Sequence, residues 1–140
     1  MSINSAVYAI CNANSAVRAL IGLPGSPAEI ALYPAGNAPQ ADAPPQVAPY
    51  ATSQTISGMP ANTLDRAAPA DNEVLQFDCY SRDYDQAAAI ADAIRVALEN
   101  DAACIAQKLG ASIEHFLGHD FDDSTRFYRV SFDASFWLAR

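Results

Sequence analysis

His115 and His119 stand four positions apart, the spacing at which two imidazoles on one unbroken strand share a face and could grip a metal ion. Gly118 between them is expected to break the strand, and no cysteine or carboxylate falls at ligand spacing beside them, so no metal and no cofactor is expected. Asp120, Asp122 and Asp123 have the chemistry of a calcium loop but lack its glycine and distal glutamate, and read as a solvated turn. Cys79 or Cys104 could meet His115 as a nucleophilic pair, the chemistry of a small cytoplasmic cysteine hydrolase. Cys79, however, sits beside Phe77 on an apolar strand face and Cys104 in an alanine-rich stretch, where small buried thiols are expected. The six glycines are scattered, with no phosphate-cradling pattern among them. No catalytic residue is assigned, and the reading is of a protein that is not an enzyme.

Contact chemistry is better represented. Along 125–138, Tyr128, Val130, Phe132, Ala134, Phe136 and Leu138 alternate with Arg129, Ser131, Asp133 and Ser135, so the first set is the core face of a long strand. Phe127 and Trp137 fall on the polar side. Large aromatics on a polar sheet face mark protein interfaces, and Arg129, the one base beside them, is too little for a base-stacking surface.

The elements that position these residues follow from periodicity. Residues 3–21 read as two short helices, with Asn14 or Ser15 capping the second and Gly22 and Pro24 stopping it. A strand over Glu29 to Tyr33 ends at Pro34. Two extended loops are expected, 35–49 and 60–72, both rich in Pro, Ala and Asn with little to bury. Between them Tyr50 to Ser57 alternates weakly, and Glu73 to Ser81 alternates clearly, with Leu75, Phe77 and Cys79 on one face. Asp83 with Gln86 makes a capping-box start for a helix whose stripe is Ala87, Ile90, Ala91, Ile94, Ala97 and Leu98. Asn100 is expected to end that helix in a left-handed turn, and Gly110 to stop a short helix over 102–109. Ser112 to Leu117 then pairs with the final strand across the acidic turn. The expected fold is α+β: an antiparallel sheet of about four strands in a split βαβ order, one main helix on one face, and short N-terminal helices. The final strand should lie between the strand of Phe77 and that of Ile113.

The 140 residues fit one domain. Against 8 Lys and Arg stand 16 Asp and Glu, a formal net charge of -8, which opposes nonspecific grip on phosphates. No N-terminal basic region precedes an apolar run, and no run reaches bilayer length, so neither a secretory signal nor a membrane span is expected. Cys11, Cys79 and Cys104 are too few and too far apart for a disulfide framework, which suits a reducing compartment such as the cytoplasm.

The order of several pieces resembles one family. They are Ala19-Leu20-Ile21-Gly22, Leu32-Tyr33-Pro34, Pro49-Tyr50, Ile56-Ser57-Gly58, Thr63-Leu64-Asp65, Val74 to Tyr80, the helix Ala87 to Leu98, and Phe127 to Asp133. Together they resemble the tail completion, or tail terminator, proteins of long-tailed bacteriophages, with Tyr80 where relatives often carry Trp. The resemblance implies a homo-oligomeric ring, hexameric in general. Such a ring caps the head-proximal end of the tail tube, ends tube growth and joins tail to head. The implied partners are the major tail tube protein and the head-tail connector or stopper protein, with genome DNA passing through unbound and the virion as location. A head-side connector or stopper ring is the alternative. Candidate contacts are Phe127, Trp137, Arg129, Tyr50 and Leu64, and candidate lumen acids are Asp78, Asp122, Asp123 and Asp133.

Overall fold

The computed structural model describes residues 2–23, 29–34, 49–62, 67–107, 109–123 and 126–139. Residues 35–48 of the loop expected over 35–49, and Leu64, lie outside them.

The chain opens with α1 (Ile3–Ala13) and α2 (Ser15–Ile21). Only Asn14 separates the two, because its backbone is extended (φ -87, ψ 123) and its side chain accepts from Val17 N at 3.1 Å, so one residue both ends α1 and caps α2. Arg18 locks the bend by donating to Asn12 Oδ1 at 3.0 Å. Gly22 closes α2 where a Cβ would meet the Arg18 carbonyl oxygen at 2.3 Å, a separation only glycine permits. Next come β1 (Gly22–Leu23) and β2 (Glu29–Ile30), paired as a small antiparallel ribbon. The strand expected over Glu29 to Tyr33 is thus divided into β2 and β3 (Leu32–Pro34).

Among the described residues the main sheet has five strands in the order β3-β4-β5-β7-β6, where β4 is Tyr50–Asn62, β5 Ala67–Ser81, β6 Leu109–Asp122 and β7 Phe127–Ala139. β3 runs parallel to β4 and every other pairing is antiparallel. This exceeds the expected four strands, because the later part of the strand expected over Glu29 to Tyr33 joins the sheet as its edge strand β3. β7 lies between β5 and β6, as the split βαβ order of elements predicts. The loop expected over 60–72 is largely strand: β4 and β5 continue their ladder out to the pairing of Asn62 with Ala67. Pro60 sits on the outer strand of that hairpin, where a missing amide is tolerated.

Packed on the sheet is α3 (Tyr84–Leu98), which crosses β5 and β7 and also meets α1 and α2. Its apolar stripe, Ala87, Ile90, Ala91, Ile94, Ala97 and Leu98, is buried as the 3.6-residue period requires. Beneath it Leu75, Phe77 and Cys79 of β5 and Val130, Phe132, Ala134 and Phe136 of β7 complete the core, with Val7, Cys11 and Val17 from the N-terminal helices. Phe77 stacks on Phe132 (centroids 4.9 Å) and takes Phe136 edge-on (6.2 Å).

The helix start differs from a reciprocal capping box. Asp83 accepts from Asp85 N at 3.2 Å, but its own amide donates to Ser81 Oγ at 3.1 Å, and Ser81 Oγ donates to Gln86 Oε1 at 2.6 Å. The hydroxyl relays the bond that Gln86 would otherwise make directly. Asn100 is extended, not left-handed (φ -77, ψ 102), and serves α4 (Asp101–Ala106) as N-cap, accepting from Ala103 N at 3.2 Å. Gly110 belongs to β6 and stops nothing; α4 ends at Ala106, with Gln107 as its C-cap.

Candidate interaction surface

Register defines the second face of the sheet. Tyr50 pairs with Tyr80, Thr52 with Asp78 and Gln54 with Gln76 across β4 and β5. Tyr80 pairs with Arg129, Asp78 with Ser131, Gln76 with Asp133 and Asn72 with Trp137 across β5 and β7. On β6, Asp122, Asp120, Ser112 and Gly110 stand opposite Phe127, Arg129, Ser135 and Trp137. Because alternate residues share a face, these positions form the side opposite Leu75, Phe77 and Cys79. The face is polar at its centre and aromatic towards both ends.

One end carries a transverse aromatic row. Tyr50 stacks on Tyr80 (4.7 Å, 17°), meets Phe127 edge-on (5.8 Å) and approaches Tyr33 of β3 (6.3 Å). Arg82 lies over the Phe127 ring at 5.5 Å. Phe127, expected as an exposed contact, is therefore buried: the tyrosines and the guanidinium cover it. Arg129 pairs with Asp120 at 3.5 Å, and both are solvent-exposed. Tyr50, Tyr80, Phe121, Phe127 and Arg129 line a cleft of about 400 Å³ with Asp120, Asp122 and Asp123. Burial raises the Tyr50 hydroxyl above its ordinary range, helped by Tyr80. Tyr80 is raised by burial and by Asp78, against the pull of Arg129 and Thr52.

In the centre, Thr52, Asp78, Ser131 and Ser135 are buried although polar. Ser131 Oγ donates to Asp78 Oδ1, and Gln76 Nε2 donates to Oδ1 at 3.1 Å and Oδ2 at 3.4 Å. Asp78, expected among exposed acids, is 6% exposed and held by these donors; Asp133 is half-buried, and Asp122 and Asp123 are exposed. At the far end Trp137 is 45% exposed beside Gly110, which leaves room along its ring. The acidic turn is shorter than expected, since Asp120 and Asp122 lie on β6 and only Asp123 enters the turn.

Gly118 does not break β6. It takes φ 111, which glycine alone adopts without cost, at one of two register shifts in the β6–β7 ladder. In consequence His115 pairs with Asp133 and His119 with Val130, residues on opposite faces of β7. Among the described residues no group of three or more His, Cys, Asp or Glu is placed to hold a metal ion. The three thiols are buried: burial pushes Cys11 up to about 12 and raises Cys79 as well, and Cys104 Sγ donates a hydrogen bond to the Leu98 carbonyl oxygen at 3.2 Å. Cys11 and Cys79 are therefore poor nucleophiles, because burial disfavours the reactive thiolate. No helix among the described residues is long and apolar enough to cross a membrane.

Sequence reasoning missed the Tyr50–Tyr80–Phe127 row and the link from Ser131 to Asp78. The face of each residue was readable from alternation, but their meeting depends on register between strands distant in sequence.

The fold is thus an α+β sheet module, with helices on one face and a polar face crossed by an aromatic row on the other. The chain belongs to the family of the tail completion protein gp17, whose family model matches residues 5–139. It is thus of a structural protein family of the phage tail, located in the virion tail. The fold is similar to that of a chain in the virion of a native gene transfer agent (GTA) particle, at 18% identity and TM-score 0.62, covering 99% of this chain and 96% of that one. No curated protein sequence matches.

Proposed function

We propose that the protein forms a closed ring, hexameric in the general manner of tail terminators, that caps the head-proximal end of the tail tube, ends tube polymerisation and receives the head connector. The observation that carries this reading is the family match over residues 5–139. The architecture is compatible with it: a two-faced sheet can bury its helices on one side and turn the other to a pore or a neighbour. Capping then works by shape and needs no bond chemistry.

In this reading DNA passes a lining that does not hold it. The polar face offers hydroxyls and amides such as Thr52, Gln54 and Gln76, with Asp122, Asp123 and Asp133 as lumen acids. Trp137, Arg129 and Tyr50 are contact residues for neighbouring subunits or the tube. Negative-stain imaging of tails assembled with and without the protein tests the reading. Tubes should carry a ring at one end and stop at uniform length when it is present; a ring on isolated heads, absent from tails, would favour the connector alternative.

A further inference from the structure

Among the described residues the main sheet ends on two strand edges that are long, low in charge and matched in direction. β6, the last strand in the order, runs from Leu109 to Asp122. On the other side β3 covers β4 only at Ala51, Thr52 and Ser53, so β4 is the outermost described strand from Gln54 to Asn62. Soluble proteins guard such edges with charge, because unpaired amides and carbonyls recruit other strands. Here the stretch Gln54 to Asn62 carries no charged residue, with Pro60 as its one edge-blocking residue, and β6 carries only Glu114 before Asp120. Ile56 of β4 is also 45% exposed.

β4 and β7 run in one direction, β5 and β6 in the other. A neighbouring copy's β6 laid beside β4 therefore continues the antiparallel alternation. The geometry points to strand addition between copies: β6 of one subunit pairs antiparallel with the Gln54–Asn62 section of β4 of the next. β3 sets the limit of that pairing, since it occupies the edge through Ser53. The partner is a second copy because one contact satisfies both edges at once; a twofold β6–β6 pairing would leave the β4 edge bare. Head-to-tail contacts of this kind either close into a ring or extend into a filament. The inference rests on the ring reading and gives the contact within it.

The test is cross-linking in tails completed with variant protein, the native thiols being buried. Gln54→Cys is combined in turn with Gly110→Cys, Ser112→Cys and Asp120→Cys, and Ile56→Cys with the same set; all these positions are exposed. Oxidation should give a ladder of covalent oligomers beyond the dimer for one β6 partner of position 54. The best partner of position 56 should lie nearer the N-terminus of β6, or at least no nearer its C-terminus, as antiparallel pairing demands. Single variants should give no ladder. Rings seen in micrographs without cross-links from any pair would overturn the strand contact and leave the ring reading standing. Dimers from Ser112→Cys alone would replace it with the twofold pairing, and the loss of rings even in the unmodified protein would remove the ring reading itself.

Discussion

Asp78 shows what a single residue can hide. Its alternation with Gln76 on the polar face of β5 was readable, yet its burial depends on Ser131, a residue 53 positions away that donates to its carboxylate. Hydrogen bonds to charged groups contribute about 1.5–3 kcal/mol, so Ser131→Ala should destabilise by about 1–2 kcal/mol, whereas Ser112→Ala, at an exposed site, should change little. Urea unfolding of the two variants checks this, and equal midpoints would contradict it. The core aromatics were legible throughout, because Phe77, Phe132 and Phe136 follow strict alternation. Phe77 is fully buried, and Phe77→Ala should cost about 3–5 kcal/mol in the same assay.

The thiols and tyrosines give a pH dependence at the same scale. Burial raises Cys11 to about 12 and lifts Cys79, Tyr50 and Tyr80 above their ordinary values. A raised folded value means that the folded chain keeps a proton that the unfolded chain gives up. Stability is therefore complete below the ordinary thiol range and falls as pH rises from there towards 12 for Cys11, with the tyrosines adding to the loss at alkaline pH. Thermal melts across that window should show a steady decline, and Ellman's reagent at pH 8 should label the native protein far more slowly than the unfolded chain. A flat melting temperature up to the alkaline limit would contradict the burial account.

Elements were legible in proportion to their length and periodicity. The α3 stripe, the long β7 and its central place between β5 and β6 follow from patterns over ten or more residues. Short or irregular pieces were less so: the strand expected over Glu29 to Tyr33 is broken into the two-residue β2 and the three-residue β3, and the β4–β5 ladder crosses Gly58, Pro60 and Asn62, residues that locally signal a loop. There, pairing with a partner strand outweighed propensity, which is weak for strands in any case. Caps show the same division. The sequence narrows the cap of α2 to Asn14 or Ser15 and the structure gives it to Asn14; Asn14→Ala should cost about 1 kcal/mol, since α2 depends on that bond to start one residue after α1 ends. The role of Ser81 as relay was not readable, because it lies on β5 while the amide it serves starts α3.

For the whole molecule, the charge balance governs its relation to DNA. The described arginines are engaged within the chain: Arg18 with Asn12, Arg82 over Phe127, Arg95 with Asp92 and Glu99, Arg126 over Phe121 and Arg129 with Asp120. With a net charge of -8, the isolated protein should bind duplex DNA too weakly to detect at physiological salt. Tight, salt-sensitive binding in an anisotropy titration would shift weight to a head-side connector that grips the genome.

The central claim is that the protein caps the tail as a closed ring. Cryo-electron microscopy of completed tails, with the protein located by a tag or antibody, tests it most directly. The account predicts one closed ring of several copies at the head-proximal end of each tube. A single copy there, an open filament, or protein spread along the tube would contradict it.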